Sequence, residues 1–182
     1  MNLSSSSTGT KVFASSLNGA SVNFVNIPSG ASSVNVYYGD TKAGSPVITG
    51  SGSLTSATQT ETIVGGTASK FVITSTPVSG TASGSANVGP ITVQEQDVNG
   101  NPASAPAGGT TVNLSSSSVG TKVFASSLGG APVTSVTILV GGSTASFYYG
   151  DTQAGSPVVS ASGSLTTATQ TETIVAGAAR SS

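Results

Sequence analysis

Cysteine, histidine and tryptophan are absent from this 182-residue chain, and charged residues make up only 6% of it and aromatic residues 5%. Without cysteine there are no disulfides, so bridges do not decide the redox compartment. Without histidine and cysteine, most nucleophile–base pairs and the usual zinc ligand sets are gone. Serine is plentiful, but a catalytic serine needs an activating base, and only six carboxylates and four lysines are present. We therefore expect no enzyme. A formal charge of −1, with five basic residues spread thinly, leaves no electrostatic footprint for nucleic acid or an anionic membrane. No apolar run approaches the roughly 18–20 residues that span a bilayer, so no membrane insertion is expected. Met1 leads directly into repeat interior, without the charged and apolar regions of a signal peptide.

What is present is serine and threonine, 60 residues together, with 24 glycines. Such a load also suits a disordered linker or a glycosylated stalk. The distribution of Val, Ile, Phe and Tyr points elsewhere. They fall in short β-branched and aromatic bursts separated by Gly, Asn and Pro, the pattern of folded β structure.

The dominant feature is a repeat. Residues 2–64 return at 113–175, offset by 111 positions without a gap, and 45 of the 63 aligned residues are identical. Residues 65–112 have no counterpart upstream. We read 65–176 as a complete module, 1–64 as a partial module lacking its first strands, and 177–182 as a tail or the start of a next module. The partial module is expected to be a fragment of a longer array, a half finished by strands of another copy, or a permuted arrangement completed by 65–112. Near-copies in tandem are the mark of repeat architectures, which present length and surface rather than catalysis.

Within the complete module, eight strands are expected, at 69–76, 91–98, 110–116, 121–126, 133–140, 144–150, 156–162 and 168–175. Residues 78–90 read as a loop with at most a short edge strand. Starts spaced mostly 8–14 residues apart, with turn residues between, suit an all-β sandwich. Period-two alternation puts Phe71 with Ile73, and Val136 with Ile138 and Val140, on shared faces. Gly141-Gly142 and, upstream, Pro28-Ser29-Gly30 mark a hairpin whose length is kept while its side chains differ.

Two motifs carry a family resemblance. The run Val93-Gln94-Glu95-Gln96-Asp97-Val98-Asn99-Gly100-Asn101-Pro102 is an acidic strand end running into a Gly-Asn-Pro turn. The run Phe147-Tyr148-Tyr149-Gly150-Asp151-Thr152-Gln153-Ala154-Gly155 is an aromatic strand followed by Asp-Thr and Ala-Gly. Together they resemble the bacterial immunoglobulin-like modules of invasin- and intimin-type adhesins. The resemblance implies tandem antiparallel immunoglobulin-like β-sandwiches with Greek-key connections, the first incomplete, that act as spacers. It carries over no binding residue, and no adhesive tip, membrane anchor or sorting signal of that family's pattern is expected within these 182 residues.

Candidate chemistry is sparse. Asp97, Asn99 and Asn101 place oxygen side chains at i, i+2 and i+4 around a turn, a set able to chelate calcium and equally able to form an ordinary Asx turn. Otherwise no cofactor is expected. Asp40 and Asp151, each after Tyr-Tyr-Gly, are expected to cap their own turns. Lys122, Asn113, Glu172 and Gln170, with counterparts Lys11, Asn2, Glu61 and Gln59, are the ingredients of intramolecular isopeptide or ester cross-links, though Lys and Glu on strands ordinarily face solvent. Thr169, Thr171 and Thr173, like Thr58, Thr60 and Thr62, are expected on one sheet face, where they contact water or a polysaccharide. One tyrosine of each Tyr-Tyr pair is expected inward and the other free to stack on sugar. Sequons at Asn2 and Asn113 matter only in a glycosylating host.

Three functions follow as expectations. The first is a stalk or fibre spacer outside a bacterial cell, its partners being neighbouring modules. With the short linker Gly65-Gly66-Thr67-Ala68, each module would add roughly 30–40 Å. The second is a filament subunit completed by strand exchange between copies. The third is a module that binds a surface glycan or ice.

Overall fold

A computed structural model describes residues 1–177; of the tail expected at 177–182, all but Gly177 lies outside the described residues. All regular structure among them is β. The chain divides into two compact units, Met1–Gly65 and the part from Gly66 onward.

Among the described residues the second unit contains eleven strands: β6 Lys70–Ile73, β7 Ser79–Thr81, β8 Val88–Gln96, β9 Thr110–Ser116, β10 Lys122–Ala125, β11 Pro132–Val133, β12 Ser135–Ile138, β13 Thr144–Asp151, β14 Val158–Ser162, β15 Ala168–Thr171 and β16 Thr173–Val175. One sheet has the order β11-β10-β13-β8-β6 and the other β12-β9-β14-β15, while β7 and β16 form a short parallel pair. Strand β8 pairs with β13, and β9 with β14, so each sheet joins strands distant in sequence beside the consecutive pairs β10-β11 and β14-β15. That is the Greek-key arrangement of an immunoglobulin-like sandwich.

The core follows from alternation. In β9, Thr110, Val112 and Leu114 point inward, and in β8, Ile91 and Val93 do. They meet Phe71, Phe124, Ile138, Phe147, Tyr149 and Val159 between the sheets. Phe124 packs edge-on against Phe147 at 5.9 Å between ring centroids and tilted against Tyr149 at 5.2 Å. Each such side chain contributes about 1.5–3 kcal/mol through burial.

Several expected strands are corrected. Segment 133–140 divides into β11 and β12, which lie in different sheets, and Val140 is exposed in the following turn instead of sharing the face of Val136 and Ile138. Val88–Pro90, read as loop, opens β8, across a cis Gly89–Pro90 bond. Gly89, at φ +143°, sits where β8 and β13 shift register, and a Cβ there would stand only 3.1 Å from the Phe147 carbonyl oxygen. Strand β8 ends at Gln96 rather than Val98, β6 is shorter than expected, and 168–175 breaks at Glu172.

The first unit has five strands: β1 Asn2–Ser5, β2 Lys11–Ala14, β3 Tyr37–Asp40, β4 Val47–Ser51 and β5 Ala57–Thr60. They form a three-stranded sheet β1-β4-β5 and a pair β2-β3. By the 111-residue offset these are the counterparts of β9, β14 and β15, and of β10 and β13. Counterparts of β6, β7 and β8 do not occur within it, and the effect is local. Residues 33–36 match the part of β13 that pairs with β8, and they form no strand. Residues 62–64 match β16, which needs β7, and keep only the bridge Gly44↔Ile63. The β12 ladder shrinks to the isolated pair Asn2↔Phe24.

Candidate functional site

Identical residues occupy different environments in the two units. Ile138 is fully buried, whereas its counterpart Ile27 is 48% exposed; Leu165 packs against the core, whereas Leu54 is 84% exposed. Phe13 and Val25 stay buried, as Phe124 and Val136 are, and the strand pair β2-β3 is kept in the first unit as β10-β13 is in the second. Ile27 and Leu54 therefore lie on the face that β6 covers in the second unit. A groove of about 290 Å³ opens there, lined by Ile27, Gly50, Gly52, Leu54 and Ala57 among others.

A hydroxyl–carboxylate network recurs in both units. In the second, the Tyr149 hydroxyl donates to Asp151 and lies 2.8 Å from the Ser116 hydroxyl. Asp151 also accepts the Gln153 N–H at 2.9 Å, so it caps its own turn as expected. Burial pushes the Tyr149 phenol up to about 12, and the bond to Asp151 adds to it. Burial also works against the Asp151 charge, yet hydrogen bonds from Ser118, Tyr149 and the Gln153 N–H, with the Lys122 charge, hold its carboxyl below the ordinary value. In the first unit Tyr38 bonds Asp40 and Ser5, and the Lys42 N–H caps Asp40 at 2.9 Å. The arrangement ties three chain segments together and leaves its base and hydroxyl facing one another rather than a cleft. It is a structural lock.

The turn after β8 brings Asp97, Asn99 and Asn101 together, and the carboxylate is fully engaged. One oxygen accepts the N–H groups of Asn99 and Asn101, both at 2.9 Å. The other accepts the Gly66 N–H at 2.8 Å and the Asn101 side-chain amide at 2.9 Å. The Asn101 amide first, with the backbone donors, outweighs burial and lowers the Asp97 carboxyl to about 2. This is a turn clamp that also fastens the start of the unit, and a calcium ion would have to displace its N–H donors. Among the described residues no group of three or more His, Cys, Asp or Glu is placed to hold a metal.

The cross-link ingredients are dispersed. Lys122 lies in β10 of one sheet, where its ammonium donates to the Ser118 carbonyl, and Asn113 lies in β9 of the other. Glu172 is fully buried, contrary to the expectation that Glu faces solvent. One of its oxygens accepts the Val78 N–H at 2.6 Å while the other has no partner, and burial raises its carboxyl above the ordinary value. Gln170 donates to the Ser75 carbonyl at 2.7 Å. Glu95, a residue that its type alone does not single out, is also fully buried, and neither carboxylate oxygen has a hydrogen-bond partner. Its place in the series Ile91, Val93, Glu95 was the available signal, since equal parity means one face.

Thr169, Thr171 and Thr173 are all exposed, although Thr173 belongs to β16 and not to the ladder of the other two. Tyr149 and Tyr38 point inward; Tyr148 is half-buried and Tyr37 exposed.

No family model matches the sequence, and no curated protein does. Among solved structures, a glycosyl hydrolase family 2 member from Bacteroides cellulosilyticus is similar at 18% identity and a TM-score of 0.48. The match covers 91% of this chain, which spans 21% of that protein's length. No helix among the described residues is long and apolar enough to cross a membrane.

Proposed function

We propose that this chain is a non-catalytic structural repeat of an extracellular bacterial stalk or fibre, of the kind found in invasin- and intimin-type adhesins. The observation that carries the reading is the copying itself: 45 of 63 residues recur, among them every member of the serine–tyrosine–aspartate lock. What is kept between copies holds a sandwich together. What drifts is concentrated in one band, with 12 of the 18 differences falling at positions 18–36. A spacer needs its frame repeated, and the drifting band forms no extended strand in the first unit. Low charge supports the same reading, because neighbouring stalks do not repel.

Antibody raised against the chain and applied to intact cells of the encoding organism tests this. Labelling of unpermeabilised cells, lost after mild surface proteolysis, is expected. Labelling only after permeabilisation would contradict it.

A second reading, a glycan- or ice-binding module, is favoured only by the exposed threonines of the last strands and by outward Tyr148 and Tyr37. Glycan-array and ice-affinity measurements on Thr171→Tyr and Tyr148→Ala address it; signals absent in the parent chain, or unchanged in both variants, remove it.

A further inference from the structure

Two side chains near the end of the second unit each leave one buried oxygen without a hydrogen-bond partner, Gln170 Oε1 and Glu172 Oε1. They stand two residues apart on one face, where Ala168, Gln170, Glu172 and Ile174 alternate with the exposed Thr169, Thr171, Thr173 and Val175. Both side chains reach the same segment. The Gln170 amide donates to the Ser75 carbonyl at 2.7 Å, and Glu172 Oε2 accepts the Val78 N–H at 2.6 Å. Those partners fix which atoms are left over. A carbonyl oxygen only accepts, so the Gln170 amide must turn its nitrogen to Ser75, and its Oε1 remains as an acceptor. A backbone N–H only donates, so it takes a bare carboxylate oxygen, and Oε1 of Glu172 is the one free to carry a proton. One hydrogen satisfies both leftover oxygens.

We propose that the carboxylic proton of Glu172 is shared with Gln170 Oε1, and that this acid–amide pair latches residues 75–81 to the last strands, closed while Glu172 is neutral and loosened when its proton leaves to water. The segment is otherwise held by the short parallel pair of β7 with β16, by the Thr173 N–H on the Val78 carbonyl at 3.0 Å and by the Ala82 N–H on the Val175 carbonyl at 2.8 Å. A charged Glu172 would keep a single N–H donor inside a fully buried site, which costs far more than a neutral acid does. Nothing packed around it carries a balancing charge. Residues 75–81 and 155–162, and the rest of 168–175, contain no titratable side chain. In the opposite sheet Tyr149 and Asp151 are bonded to each other with the Lys122 charge acting on Asp151, while Lys70 and Glu95 sit at the end nearer Thr166. Burial raises the Glu172 carboxyl, the Val78 N–H opposes it, and no neighbouring charge contributes. None of this depends on the modules forming a stalk.

The test follows the Glu172 carboxyl carbon of the full chain by NMR as pH is raised, together with amide exchange at Val78, Ala82 and Thr173. A group whose folded value is raised holds the fold at low pH and lets go as pH passes that value. Glu172 is therefore expected to titrate above the ordinary 4.5, and protection of the three amides, referenced to Phe147, to fall from that midpoint upward. The full loss is expected to be about tenfold for each pH unit that separates the midpoint from 4.5. Glu172→Gln gives Gln170 a permanent N–H donor and Val78 a permanent acceptor, so the three amides are expected to stay protected at every pH. Gln170→Met removes the shared acceptor and keeps the site apolar; it is expected to lower the Glu172 midpoint toward 4.5, whereas burial alone would leave it in place or raise it. A midpoint at or below 4.5, protection that does not follow the midpoint, the parent's pH dependence in Glu172→Gln, or a midpoint unmoved or raised in Gln170→Met would each overturn the proposal. So would protection that rises with added sodium or calcium at fixed pH, the mark of a cation between the two oxygens.

Discussion

Tyr149 donates its hydroxyl to Asp151 inside a closed sandwich, and Tyr38 makes the same bond to Asp40 at a half-open surface. Chemistry and spacing are identical, so any difference in their worth reports burial alone. Tyr149→Phe removes a donor from a carboxylate that water does not reach, and is expected to cost about 1–3 kcal/mol. Tyr38→Phe leaves Asp40 open to water and is expected to cost about 1 kcal/mol or less. Urea unfolding followed at resonances of each unit checks this; equal losses would contradict it.

The Asp97 clamp makes a prediction with a pH signature. Asp97→Ala orphans backbone donors of the turn and of Gly66, at a cost of about 1–3 kcal/mol at neutral pH. Its carboxyl is lowered to about 2 from the ordinary 3.8. A depressed acid stabilises the fold fully above its unfolded value, and that contribution fades as pH falls toward the folded one. The gap between variant and parent is therefore expected to close between about pH 4 and pH 2. A gap independent of pH would assign the loss to packing. Because both oxygens already accept N–H donors, millimolar calcium is expected to leave the melting temperature unchanged.

Glu172 behaves with the opposite sign. Burial raises its carboxyl, so the fold favours the neutral form, and this contribution is present at low pH and lost as pH rises. Glu172→Gln keeps an acceptor for the Val78 N–H and removes the buried charge. It is expected to gain on the order of 1 kcal/mol at pH 7 and nothing at pH 3. Denaturant midpoints at the two pH values decide it; a loss at pH 7 would mean that the charge is satisfied.

Much of the fold was legible because its signals are local. The all-β class, the alternation in 110–116 and the turn roles of Asp40 and Asp151 all follow from spacing and turn chemistry. What escaped depends on partners far away in sequence. Segment 133–140 reads as one strand, but β11 pairs with β10 and β12 with β9, in opposite sheets, which carries the chain across the sandwich and leaves Val140 in a turn. Glu95 and Glu172 look like solvent-facing strand residues by type, and only their parity with Val93 and Ile174 places them inside. Composition weighed more than period at those positions, and period was the better guide.

Amide hydrogen exchange tests the central claim, that two copies of one sandwich lie in the chain and that the first lacks its covering strands. The account predicts slow exchange at β13 residues paired with β8, such as Phe147, and exchange near the unfolded rate at their counterparts 33–36, while β3 and β10 remain protected. Equal protection of 33–36 and 144–147 in the isolated chain would contradict it.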